Sequence, residues 1–418
     1  VVTMAGAERA LVIVGGGLAG ARAAEGARAA GYEGPLVIVG AETAVPYIRP
    51  PLSKGFLAGT EDRDAIDVHP RAWYGEHRVQ LRLGRRAERL DTRAHELALD
   101  DGSVLRYERA LIATGASPRT FGGPGGDLAG VHLLRTVADS AALRDALAPG
   151  GRRIAIIGAG WIGLEVAAAA RGYGNEVTVL GLETVPLNAA IGDEAGAVFG
   201  ELHREHGVDL RMSTSVARIV GDAGRATGVE LEGGEIVPAD VVVVGIGAIP
   251  QTALAESAGL EVDRGIVTDA AFRTSDADVL AVGDVASVLL PFLGAHLRTE
   301  HWANAEHAGR AAGRSLAGEA VEYDEIPYFY TDQYDLGMEY SGYAPLAAGI
   351  APVFRGDRAG REFVAFWLRD DRVVAGMNVD VWKVNDTVQR LIRSRAAVDP
   401  ARLIDPAMPL AALAVADG

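Results

Sequence analysis

Two stretches of this chain share one plan: a short apolar strand, a glycine-rich turn and an alanine-rich helix. The first runs from Leu11–Val14 into Gly15-Gly16-Gly17-Leu18-Ala19-Gly20 and a helix to about Ala30. The second runs from Ile154–Ile157 into Gly158-Ala159-Gly160-Trp161-Ile162-Gly163 and a helix to about Tyr173. In such a turn the first glycine permits the tight bend, the second lets backbone N–H groups approach a phosphate with no Cβ in the way, and the third lets helix pack on strand. The helix N-terminus adds partial positive charge for a pyrophosphate. A second strand follows each helix, ending at Glu42 in the first case and spanning Val177–Leu180 in the second. Glu42 stands 27 positions after Gly15, where the fingerprint places a ribose-binding acid after roughly 20. One such turn is weak evidence. Two in the same context point to two dinucleotide cradles.

The rest of the chain arranges itself around them. "YERALIATGASPR" at 107–119 and "ADVVVVGIGAIP" at 239–250 are buried-looking strands that end in glycine, as connections leaving and re-entering a sheet do. The second unit is therefore expected as an insertion in the first. "DVLAVGDVA" at 278–286 reads as one more strand, ending at Gly283-Asp284, and a helix is expected from about Ala303 to Leu316. Ligands gather at the carboxyl ends of parallel strands, which is where Asp284 falls. From about Val321, aromatic-rich alternation, "RDDR" as a turn and a closing helix in "VNDTVQRLIRSR" predict an antiparallel sheet with a helix. The expected fold class is α/β, with two Rossmann-like dinucleotide-binding domains, one at 1–115 and 245–320, the other inserted at 116–244, and a C-terminal α+β domain at 321–418.

Composition narrows the function classes. No apolar run approaches the ~18 residues that cross a bilayer, and the N-terminus lacks a secretory pattern, so the reading is cytoplasmic with no membrane partner. A formal net charge of −16 disfavours nucleic acid over the surface as a whole. With no cysteine in the sequence, an internal redox thiol pair and a thiolate-held cluster are excluded. No metal site is expected. Of 40 basic residues only Lys54 and Lys383 are lysines, so Lys54 in "RPPLSK" invites a chemical reason.

With both glycine motifs on the page, "AVPYIRPPLSKGFL" at 44–57, "LIATGASPR", "VGIGAIP", "AVGDVA", "EHWANAEHAG" and "FWLRDDRVVAGMNVDVWKVND" resemble the FAD-dependent, NAD(P)H-dependent ferredoxin reductases of oxygenase and cytochrome P450 systems. The resemblance runs over nearly the whole chain. It implies that the first cradle holds FAD through Gly15, Gly17, Ala19 and Gly20, with Glu42 on the adenosine side, Ala87 by backbone at the adenine and Arg49 at the pyrophosphate. Thr114, Gly115, Arg135 and Asp284 would follow the chain toward the flavin, with Trp302 as a ring contact. The second cradle would hold NADH through Gly158, Gly160, Ile162, Gly163 and Gly247. Lys54 would sit by the reactive edge of the flavin, with Glu165 as its partner beside the nicotinamide amide. Relatives that prefer NADH usually carry an acid directly after the second strand of the inserted domain. Here that place is Gly181, with Glu183 two residues on and no arginine in "GLETVPLNAAIG" to welcome a 2′-phosphate, so NADH is expected over NADPH.

The implied acceptor is an iron–sulfur ferredoxin, and Arg298, Arg310 and Arg314 are the basic residues expected to dock it. A second copy of the chain, in a homodimer, is the other partner considered. Two further functions stay open at this stage: reduction of rubredoxin or another small acceptor, and a slow-turnover flavoprotein with a binding or signalling role like the apoptosis-inducing relatives of this fold.

Overall fold

Runs of four or five β-branched and leucine residues, too short for helices and bounded by glycine, become the central parallel strands. The computed structural model describes residues 9–413, and the chain divides into two compact units. One is made from the chain up to Pro50, Asp62–Ser117 and Ala248–Glu325. The other is made from Pro51–Glu61, Pro118–Gly247 and the chain from Ile326 onward.

In the first unit the parallel strands Val79–Leu83, Leu36–Gly40, Ala10–Val14, Val104–Ile112 and Val279–Ala281 lie side by side in that order. Helix Leu18–Ala29 packs against helix Trp302–Leu316 through small residues: a Cβ on Gly313 would lie 2.0 Å from the Ala23 carbonyl. Two expected strand ends move. The strand after the first helix stops at Gly40 rather than Glu42, because Gly40 packs on Gly16 and the Glu42 carbonyl is taken by the Gly84 N–H at 2.9 Å. The strand ahead of Asp284 stops at Ala281, and a single 3-10 turn, Gly283–Val285, carries the aspartate.

In the second unit the parallel strands run Val208–Arg211, Glu176–Leu180, Arg153–Ile157, Val241–Val244, Val131–His132. Its antiparallel sheet orders Tyr328–Gln333, Leu336–Gly342, Arg372–Val379, Glu362–Arg369, Val353–Asp357. Asp370 and Asp371 both take positive φ (50° and 57°), the conformation a tight hairpin turn requires. Helix Asn188–Glu205 buries Ile191, Val198, Phe199 and Leu202 against Met338, Tyr340 and Phe363 of this sheet, in one shared core. Among the described residues no helix is long and apolar enough to cross a membrane.

Candidate functional site

The two turns close their first and third glycines in the same way, each against a backbone carbonyl. A Cβ on Gly15 (φ +137°) would lie 2.1 Å from the Ala113 carbonyl, and one on Gly158 (φ +112°) 2.3 Å from the Gly245 carbonyl. The third glycines are closed in the same way, with Gly20 2.1 Å from the Gly15 carbonyl and Gly163 2.2 Å from that of Gly158. The middle glycines differ from these. A Cβ on Gly17 or Gly160 would meet nothing within 4 Å, so packing does not require glycine there. Both are extended N-cap residues with no side chain over the first turn of the helix. Space and uncapped N–H groups at a helix start fit a pyrophosphate in either unit.

Around the first turn, Thr114 and Gly115 follow strand Val104–Ile112, and the Thr114 hydroxyl donates to the Gln251 carbonyl at 2.9 Å. A Cβ on Gly283 would lie 3.2 Å from that of Ala19, which sets Asp284 next to the start of the first helix. Trp302 opens helix Trp302–Leu316 behind the half-buried His301, whose imidazole is pushed down to about 4 by desolvation, against the opposing pull of Asp284. Glu42 accepts from the Tyr47 hydroxyl at 2.5 Å and from Arg49 at 3.3 Å, while the Arg49 guanidinium lies over the Tyr47 ring. Ala87 begins strand Ala87–Asp91, three residues after the Gly84 N–H that meets Glu42. Arg135 belongs to the second unit, beside the capping box formed by Thr136 and Asp139, so the first unit does not gather it with the rest of this set.

The second unit brings Lys54 and Glu165 together. Ser140 donates to the Leu52 carbonyl at 2.7 Å and Tyr173 to the Leu57 carbonyl at 2.9 Å, which pins residues 51–61 on the helices of this unit. Lys54 Nζ then pairs with Glu165 Oε1 and lies 5.6 Å from the centre of the Tyr330 ring. The Glu165 side chain is only 7% exposed. Its carboxylate is met on both oxygens, by Ser53 Oγ at 2.5 Å on Oε2 and by Thr331 Oγ1 at 2.6 Å on Oε1. Burial raises the Asp332 carboxyl above the usual range, with Lys54 opposing and Glu165 adding to the shift. Tyr330 is pushed up to about 12, again chiefly by burial. Ile162 stays half-exposed at the cradle's rim, and Gly247 (φ +101°) has its carbonyl engaged by the Arg119 N–H at 2.9 Å. Glu183 is exposed, with its backbone carbonyl accepting from Ser213 at 2.8 Å. A Cβ on Gly181 would meet the movable end of Met212, its Cε at 2.6 Å, and the Ala159 Cβ at 3.0 Å.

A family model described as pyridine nucleotide-disulphide oxidoreductase matches residues 9–309, and one described as reductase C-terminal matches residues 328–414. The chain belongs to the pyridine nucleotide-disulphide oxidoreductase family. Within that family it is 42% identical over 400 residues to the ferredoxin--NAD(+) reductase component of the anthranilate 1,2-dioxygenase system of Burkholderia cepacia, spanning 96% of this chain and 98% of that protein. It is 36% identical to putidaredoxin reductase CamA of Pseudomonas putida, over 96% of this chain and 95% of that one. The crystal structure of the covalent putidaredoxin reductase–putidaredoxin complex superposes with a TM-score of 0.91 at 35% identity, covering 97% of both chains. The family's name refers to a disulphide, and this sequence has no cysteine; electrons in this oxidoreductase leave by another route.

Ser53, Thr331, Tyr330 and Asp332 were not among the expected site residues. Ser53 adjoins Lys54 and could have been weighed with it. Thr331 comes from a strand 166 residues from Glu165 and gave no local signal. The three arginines expected to dock an acidic partner are each paired instead: Arg298 with Glu300, Arg310 with Glu25 and Glu306, and Arg314 with Glu319.

Proposed function

We propose that the chain is an NADH-dependent, FAD-containing ferredoxin reductase that works in the cytoplasm as the first electron carrier of an oxygenase or P450 chain. The observation that carries this reading is the Lys54–Glu165 pair, whose buried glutamate stands seven residues past the first glycine of the second cradle. When bound, FAD takes a hydride from NADH and releases the two electrons singly to an iron–sulfur protein.

The residues' work is binding and positioning. Gly15, Gly17, Ala19 and Gly20 cradle the pyrophosphate of FAD, with Glu42, Arg49, Ala87, Thr114, Gly115, Arg135, Asp284 and Trp302 along its length. Gly158, Gly160, Ile162, Gly163 and Gly247 receive NADH. Glu165 accepts from the nicotinamide amide, and Lys54 balances the negative charge that builds up at the flavin edge. Hydride transfer rewards such placement far more than acid–base chemistry, because donor and acceptor atoms must be held at near-reactive distance. An NADH preference is supported by Glu183 and by the lack of any arginine at 181–192.

The test adds NADH to the purified yellow protein with and without a [2Fe–2S] ferredoxin, and follows ferredoxin bleaching. Turnover that depends on ferredoxin supports the reading; NADH consumption indifferent to it, across a panel of ferredoxins, contradicts it.

A further inference from the structure

Strand Tyr328–Gln333 turns Phe329, Thr331 and Gln333 to one face. That face looks into the apolar core shared with helix Asn188–Glu205, where Phe329 packs. The alternation of a strand calls for apolar residues at all three positions. Thr331 and Gln333 are nevertheless polar and 1% exposed, and the helix answers with His203, 0% exposed. Burying such groups costs free energy unless each is satisfied, and a hydrocarbon core would pack more cheaply.

The hydrogen bonds run in one direction. Glu165 as a carboxylate can only accept, so the Thr331 O–H is committed to Oε1 at 2.6 Å. The Thr331 oxygen therefore accepts from Gln333 Nε2 at 3.2 Å, which turns Gln333 Oε1 toward His203 Nε2 at 2.8 Å. His203 must then carry its proton on Nε2, leaving Nδ1 to accept from the Tyr334 hydroxyl at 3.4 Å. Tyr334 is fixed in turn by stacking on His206, with ring centres 3.7 Å apart. Every donor points toward Glu165. A carboxamide in the middle does not pass protons on readily, so the row is an orienting device and not a proton path.

We propose that Thr331, Gln333 and His203 are positioning residues that aim the Glu165 carboxylate at the nicotinamide carboxamide of the bound dinucleotide. The inference rests on the reading of Glu165 given under the proposed function. Ser53 holds Oε2 while Lys54 and the Thr331 row hold Oε1, so the rotation of the Glu165 side chain is set at both oxygens.

The experiment measures, by calorimetry on the oxidised holoenzyme, the dissociation constants of NAD+ and of ADP-ribose, which lacks the nicotinamide. Thr331→Val and Gln333→Met should weaken NAD+ by about fivefold, the worth of one net hydrogen bond, while ADP-ribose binding stays within about twofold. Thr331→Ser, which keeps the hydroxyl, should restore NAD+ affinity. Glu165→Gln, measured alongside, should weaken NAD+ relative to ADP-ribose as well. If Thr331→Val does not fold, Gln333→Met carries the same expectation. Unchanged NAD+ affinity in Thr331→Val and Gln333→Met beside a weakened Glu165→Gln overturns the positioning role and leaves the reading of Glu165 standing. Parallel loss of NAD+ and ADP-ribose also overturns it, since the effect is then on the fold. A Glu165→Gln protein with an unchanged ratio overturns both.

Discussion

The two cradles have the same backbone and the same three glycines, yet the helix position seven residues past the first glycine is Arg22 in one and Glu165 in the other. Arg22 turns to Glu306 at 2.7 Å and Glu25 at 2.7 Å, both on helices of its own unit, and the Arg22–Glu306–Arg310 cluster ties helix to helix. Glu165 turns instead to a lysine, two hydroxyls and, through one of them, a buried amide and imidazole. Glycine placement therefore says that a dinucleotide is held. The residue on the first two turns of the helix differs: Arg22 ties its helix to a neighbouring helix of the same unit, whereas Glu165 is held by Lys54, Ser53 and Thr331.

The largest effects separate the cradles at their open glycines. A Cβ at Gly17 or Gly160 would meet nothing within 4 Å, so Gly17→Val and Gly160→Val should both fold with near-native thermal stability. The first should purify without flavin, whereas the second should keep its flavin and show a KM for NADH raised by more than about tenfold, since the valine occupies the phosphate path. Absorption spectra and steady-state kinetics distinguish the two. A Gly17→Val protein that retains flavin breaks the assignment of the first cradle.

Next in size is Glu165→Gln, expected to slow flavin reduction by NADH by about 10- to 100-fold through misplacement of the nicotinamide, with flavin content unchanged. Rapid mixing without oxygen measures it directly.

Acid should act on imidazoles in both units. Burial holds His203 at about 4, facing Gln333, Tyr334 and His206, against about 6.5 in an unfolded chain. The unfolded form binds the proton more readily, so this contribution is complete above pH 6.5 and is lost as pH falls toward 4, by up to ~3 kcal/mol. The thermal midpoint should drop across that window, and less steeply in His203→Gln. His301 in the first unit shifts the same way.

Smallest is Glu306→Gln in the first unit. Removing a charged partner of Arg22 should cost about 2 kcal/mol of stability and leave flavin reduction unchanged. A kinetic effect as large as that of Glu165→Gln would erase the contrast between the two helices.

The cradles were legible because their constraints are local: Gly15 and Gly158 need positive φ, and a Cβ there would strike a carbonyl of the strand alongside. Lys54 was legible through scarcity, and Glu165 through the family resemblance that pairs the two. The surroundings of Glu165 were not, because Thr331, Gln333 and His203 come from a strand and a helix far along the chain and look like ordinary residues of each. Most partners of Arg298, Arg310 and Arg314 lie within five residues, at Glu300, Glu306 and Glu319, and could have been weighed from the sequence; only Glu25, on another helix, gave no local signal. Nor did composition mark Pro51–Glu61 as part of the second unit, which rests on hydrogen bonds from Ser140 and Tyr173.

The central claim is that one polypeptide holds both dinucleotides and moves a hydride from one to the other before any protein partner arrives. Mixing the flavin-loaded enzyme anaerobically with NADH, with no ferredoxin present, tests it most directly. The account predicts that the visible flavin absorption bleaches at a rate that saturates with NADH and falls in Glu165→Gln. A flavin that stays oxidised until ferredoxin is added, or that bleaches equally fast without Glu165, contradicts it.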